Sequence, residues 1–190
     1  MVRGRRPSAR VDDAIRQATL ALLEEAGYMG MSVEQVAKRA GVGKAAIYRR
    51  WRSKAELVFA HLMHDLDLQP PDDGGSLRAD LAVFAQHLVV RLSDPIAVRA
   101  MRGLVAEIHE DAELTERFTA TFLARERDCL AVVLDRAVAR GELVDRPDLA
   151  WAHALLVGPV VALLLVFGEE PAPGLGDRIA AGVAAALVIT

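Results

Sequence analysis

A single cysteine, Cys129, stands among 190 residues, so no disulfide can close within the chain, as expected of a protein of the reducing cytoplasm. Strand signals are missing as well. After residue 60 no segment alternates apolar and polar residues and no internal repeat recurs, which excludes sheet and solenoid architectures and leaves an all-α reading. No G-x-S-x-G, H-E-x-x-H, P-loop or paired-cysteine motif occurs, so the expectation is a non-enzyme without cofactor. His61 and His64 lie one turn apart beside Asp65, but third and fourth ligands at convincing spacing are lacking, and no metal is expected. The N-terminus carries charge with no apolar run behind it, which gives no secretory signal.

Lysine is scarce, and its placement is informative. Lys38, Lys44 and Lys54 are the only three, and all lie in the first 60 residues. That segment holds 12 Lys+Arg against 6 Asp+Glu, a net of +6, whereas residues 61–190 hold 11 against 20, a net of −9. The formal net charge of −3 therefore conceals a basic head joined to an acidic body, and the head alone can attract phosphate. Arg3, Arg5 and Arg6 form a short basic arm ahead of the first helix, suited to a minor groove or to the phosphates beside it.

Residues 32–56, SVEQVAKRAGVGKAAIYRRWRSKAE, explain what the head is built for. Ser32 followed by Gln35 is a capping box, so a helix starts at Val33, and Val33, Val36, Ala37 and Ala40 give it an apolar stripe. Gly41 ends that helix, Val42 plugs the corner, and Gly43-Lys44 opens a second, whose inward residues are Ile47 and Trp51. Lys44, Ala45, Ala46, Tyr48, Arg49, Arg50 and Arg52 remain outside. Such a face combines long cationic donors with residues small enough for close approach, which suits the second helix of a helix-turn-helix lying in a major groove. The alternative is a solvated charged helix in an ordinary bundle. A second capping box, Ser53 with Glu56, places Lys54 in the first turn of the next helix, where it opposes the macrodipole and a phosphate would serve as its partner.

On these residues the segment 8–60, and above all SVEQVAKRAGVGKAAIYRRWRSKAELV, resembles the DNA-binding domain of the TetR family of transcriptional regulators. The resemblance implies an all-α protein with an N-terminal three-helix helix-turn-helix domain (1–60) and a C-terminal helical domain (61–190) for effector binding and dimerisation. It implies that Tyr48 and Lys54 meet the DNA backbone, with Trp51 at the usual aromatic position. Together with the arm and the outer face, the expected DNA-binding residues are Arg3, Arg5, Arg6, Ser32, Lys44, Ala45, Ala46, Tyr48, Arg49, Arg52 and Lys54.

The body reads as helices divided by short breaks. One runs from Ser53 to about Leu68. Another starts at Ser76 with a core face of Leu77, Leu81, Phe84, Leu88 and Leu92. A third follows Asp94-Pro95 to about Glu110, a fourth spans roughly Ala112 to Arg140, and the last two run from Asp145-Arg-Pro to Phe167 and from about Gly174 to Val188. The apolar run from Leu149 to Gly168 is long enough to span a membrane, but it contains His153 and Pro159 and is flanked by acids rather than basic anchors. A soluble helix apolar nearly all round must be covered on every side, most simply by a second copy of the chain. The resemblance implies that the last two helices form that dimer interface, with Leu155, Val161, Ala180, Ala184 and Leu187 as candidates.

Polar residues on otherwise apolar helices suggest a ligand pocket: His87, Arg102, His109, Thr121 and Arg125, near Phe84, Met101, Phe118, Phe122 and Trp151. The resulting expectation is a cytoplasmic, homodimeric, ligand-responsive regulator, a repressor released from a palindromic DNA operator by a small-molecule effector. The rivals are a DNA-binding architectural protein without effector, and a helical carrier or enzyme whose basic head is incidental.

Overall fold

The computed structural model describes residues 7–62 and 69–188, apart from the side chains of residues 7–9 and His109. Among the described residues all regular structure is helical: α1 (Pro7–Gly30), α2 (Val33–Ala40), α3 (Lys44–Tyr48), α4 (Lys54–Leu62), α5 (Leu77–Leu92), α6 (Pro95–Glu110), α7 (Ala112–Phe118), α8 (Ala124–Ala139), α9 (Leu149–Val160) and α10 (Leu175–Val188). The chain forms two compact units, one from α1 to α4 with α6 and the residues through Thr115, the other from α5 and the chain after Thr115.

In the first unit, α1 buries Ile15, Ala18, Leu22 and Leu23, and the Thr19 hydroxyl donates back to the Ile15 carbonyl at 2.8 Å. Gly27, with φ 67° and ψ 179°, breaks the helical path near its end, a conformation glycine adopts without a Cβ penalty, and Tyr28 beyond it is fully buried. The tyrosine ring lies against Gly103 of α6, where an added Cβ would come within 2.5 Å of Tyr28 Cδ1. α1 and α6 therefore pack closely only because position 103 has no side chain. The expected helix from Ser53 is present as α4 to Leu62; its continuation to Leu68, with His64, lies outside the described residues.

The second unit packs α5 against α8, α9 and α10. The expected stripe of α5 is its core face, since Leu77, Leu81, Phe84, Leu88 and Leu92 are all buried. α10 crosses α5 closely at Gly176, where a Cβ would sit 3.0 Å from the Gln86 amide nitrogen. The span from Ala112 is helical to Ala139 but not uniformly α, because Thr119–Leu123 is a π-helical turn. A second π-helical stretch, Val161–Val166, follows Pro159, whose missing N–H and bulky ring disturb the α-helical ladder at that point. Of the 18-residue stretch Leu149–Val166, with mean hydropathy 2.3, only 28% is buried within the chain.

Candidate nucleic-acid interface

The local rules read from the head hold in detail. The Ser32 amide donates to Gln35 Oε1 at 2.7 Å, and the Gln35 amide donates to Ser32 Oγ at 3.3 Å, so the capping box is closed in both directions. Gly41 ends α2 with φ 67°, and the Val42 amide donates to the Ala37 carbonyl at 3.0 Å. α3 is then anchored by Ile47, which is 1% exposed. At the second cap Ser53 Oγ accepts from the Glu56 amide at 3.0 Å, and the Glu56 carboxylate accepts from the Arg52 amide at 2.6 Å.

Lys44, Ala45, Tyr48, Arg49 and Arg52 are exposed, while Ala46 and Ser32 are half-buried, the serine being occupied as a helix cap. Arg50, expected outside, turns inward: its Nε lies 2.6 Å from Asp12 Oδ1 of α1 and its Nη1 donates to the Ala46 carbonyl at 2.8 Å. It braces the end of α3 against α1 and leaves the outer face to its neighbours. Trp51 is half-buried, with its ring centroid 4.8 Å from that of the buried His61. Arg3, Arg5 and Arg6 lie outside the described residues.

Several cations of this face already have carboxylate partners. Lys44 pairs with Glu34 of α2, and Arg52 pairs with Glu113 of α7. Lys54 is set deeper: its Nζ stands 4.0 Å over the Tyr28 ring, donates to the Tyr28 carbonyl at 3.2 Å and lies 3.9 Å from Glu107 Oε1 of α6. The Tyr28 hydroxyl donates to Glu107 Oε2 at 2.5 Å. Burial, and then the hydrogen bond to that carboxylate, push the phenol's pKa upward, so it remains a donor throughout the physiological range.

The expected pocket residues are divided between the two units. Phe84 is buried as part of the α5 stripe, and Phe118 and Phe122 are half-buried with ring centroids 5.4 Å apart. His87, Thr121, Arg125 and Trp151 of the second unit face solvent, the Thr121 hydroxyl donating to the Arg117 carbonyl at 2.6 Å. In the first unit Met101 is half-buried and Arg102 exposed, while the side chain of His109 lies outside the described part. A surface cavity of about 430 Å³ in the second unit is lined by Gln86, Val89, Val90, Ser93, Asp94 and the loop at 171–174, and contains none of them. A buried polar cluster of the second unit lies elsewhere. Arg91 of α5 donates to the buried Glu126 of α8, and Glu126 Oε2 is 3.1 Å from Nε2 of the buried His153 of α9, with the Arg91 guanidinium 5.1 Å from the Phe122 centroid. Of this cluster only Phe122 was a sequence candidate. Glu126 sits in Arg125-Glu126-Arg127-Asp128, which reads as a solvated charge run, and His153 inside an apolar run was the one available signal.

The expected interface residues also divide. Leu155, Val161 and Ala184 are half-buried, but Ala180 and Leu187 are buried within the protomer's own bundle because α10 turns that face inward. The small residues α10 leaves exposed are instead Gly182, Ala185 and Ala186, and α9 leaves Trp151, Ala154 and Gly158 in solvent.

Residues 15–61 match the family model for bacterial regulatory proteins of the tetR family, and residues 71–183 match the tetracyclin repressor-like C-terminal domain. The uncharacterized HTH-type transcriptional regulator YdeS of Bacillus subtilis (strain 168) is 30% identical over 169 residues, covering 88% of this chain and 85% of that protein. The DNA-binding transcriptional repressor TetR of Mycobacteroides abscessus is 31% identical over 156 residues, 76% of this chain and 82% of that one. The crystal structure of the TetR family transcription regulator SCO0332 shares the fold, with a TM-score of 0.71 and 24% identity over 92% of this chain and 97% of its own.

Proposed function

Since the chain belongs to the tetR family of bacterial regulatory proteins and is a DNA-binding transcriptional regulator, we propose that it acts as a cytoplasmic, homodimeric repressor, released from a palindromic operator by a small-molecule effector. The observation that carries this reading is the exposed face of α3. Lys44, Ala45, Tyr48 and Arg49 stand outward on a short helix fixed from behind by Ile47 and by the Arg50–Asp12 pair. A rigid backing of this kind lets a few side chains reach base edges in register.

In this reading residues 1–60 bind DNA, and residues 61–190 dimerise and take the effector. Tyr48, Arg52, Lys54 and the arm contact phosphates, whereas Lys44 and Arg49 read bases. The covering of Leu149–Val166, left largely unburied by its own chain, is the role of the second protomer. The half-buried Arg91 and the buried Glu126 and His153 are the groups that an effector in the second unit would address. The proposed chemistry is binding alone, in keeping with a family that is generally non-enzymatic.

Backbone and base contacts respond differently to mutation. Tyr48→Phe is expected to weaken binding to operator and random duplex by the same factor, while Arg49→Ala costs about 1 to 3 kcal/mol at particular base pairs and relaxes preference there. Binding of the two variants to a panel of single-base operator substitutions, read by fluorescence anisotropy, checks this assignment. Unchanged base preference in Arg49→Ala would remove that residue from base reading.

A further inference from the structure

Two carboxylates that do not belong to the helix-turn-helix sit on its cations. Glu107 on α6 and Glu113 on α7 both come from the stretch that joins the first compact unit after α5, and they meet Lys54 and Arg52. Their geometries differ. Arg52 and Glu113 are mostly exposed, with side chains 67% and 56% accessible, so solvent and salt screen this hydrogen-bonded pair. The Lys54 side chain is only 23% exposed, and the Tyr28 ring, the Tyr28 carbonyl and Glu107 all converge on its ammonium. Glu107 is itself aimed by the Tyr28 hydroxyl, and Tyr28 can lie this close to α6 because position 103 is glycine.

A carboxylate offers an ammonium or guanidinium the same paired anionic oxygens that a phosphate offers, and one cation cannot fully serve both. From this arrangement we infer that Glu107 and Glu113 are intramolecular competitors of DNA phosphate for Lys54 and Arg52, and so hold down the affinity of the free head for DNA. The inference rests on the proposed DNA contacts of those two cations. On binding, each cation exchanges its carboxylate for a phosphate, and the released carboxylate is left close to a second negative charge. DNA affinity is thereby reduced at two positions per protomer, and any shift of α6 or α7 away from the head relaxes the restraint.

The test uses the full-length protein, a random-sequence DNA duplex and a series of salt concentrations. Glu107→Gln and Glu113→Gln remove the charge and keep an acceptor oxygen, so the Tyr28 hydroxyl retains a partner. Glu169→Gln, on an exposed loop of the second unit, makes the same change in net charge away from these cations. Each of the first two variants is expected to bind random duplex about threefold to tenfold more tightly than the wild type at low salt, with less gain as screening increases, while the loop variant stays near the wild type. Lys54→Ala should weaken binding and abolish the gain from Glu107→Gln in the double variant. If Lys54→Ala weakens binding but neither glutamine variant exceeds the loop control, the competition is wrong and the DNA contact stands. A gain from Glu107→Gln that persists without Lys54 overturns the pairing, and an unchanged affinity in Lys54→Ala overturns both the pairing and the contact. Glu113→Gln changes an exposed residue and reads the same competition even if Glu107→Gln disturbs the packing of Tyr28.

Discussion

Glu126→Ala is expected to destabilise the protein by about 3 to 5 kcal/mol, because it removes a buried anion shared by Arg91 and His153 in the second unit. Glu126 is 1% exposed and is contacted by Arg91 and by His153, the latter also buried. Without the carboxylate, the guanidinium loses its ion-pair partner beside the Phe122 ring and the imidazole loses its acceptor. Truncating one member of a buried charged cluster costs far more than the cluster contributes overall, since the remaining charge stays desolvated. The triple replacement Arg91→Met, Glu126→Leu, His153→Phe should accordingly recover most of the loss. Urea unfolding at constant m-value measures both effects. A loss below about 1 kcal/mol for Glu126→Ala would mean that the cluster is wet or readily rearranged.

Leu155→Glu should separate the proposed dimer and lower operator affinity by about two to four orders of magnitude. Leu155 is half-buried on α9, between the exposed Trp151, Ala154 and Gly158, in the stretch of which the chain itself buries only 28%. In the proposed dimer a glutamate there remains solvated only if the second protomer leaves. A single head then faces a two-part site, and the gain from tethering two binding events, about 10²- to 10⁴-fold, is lost. Sedimentation equilibrium paired with operator titration checks both halves. A variant that stays dimeric, or a wild type that is monomeric at micromolar concentration, contradicts this placement of the interface.

What could be read from the sequence was what is decided within a turn or two of chain. The Ser32 and Gln35 box, the Gly41 stop, the Ile47 anchor and the five-residue stripe of α5 each depend on neighbours three or four residues away, and each is present. Membership of the family was legible for the same reason, because the diagnostic motif is local. Hidden features depend on partners distant in sequence. Arg50 looked like an outer cation until Asp12 of α1 was seen to take it, and Lys54 looked free for phosphate until Tyr28 and Glu107 closed on it. Helical periodicity places Ala180 and Leu187 on one face of α10 but does not say which helix that face meets, and it meets its own bundle. The exposure of His87, Thr121 and Arg125 was hidden for a related reason. A charged residue on a helix is marked by its spacing, whereas burial of Glu126 depends on where α5 and α9 lie.

Sequence-selective binding of DNA by the α3 face is measured most directly by titrating the full-length protein on the DNA upstream of its own gene, against a scrambled duplex, across a range of salt. The expected result is a protected palindromic site with half-sites about one helical turn or somewhat more apart, bound at least about 10³-fold more tightly than the scrambled duplex. Its affinity should fall with salt at a log-log slope of about −0.9 for each phosphate contacted. Equal affinity for both duplexes, or a slope near zero, would contradict the account.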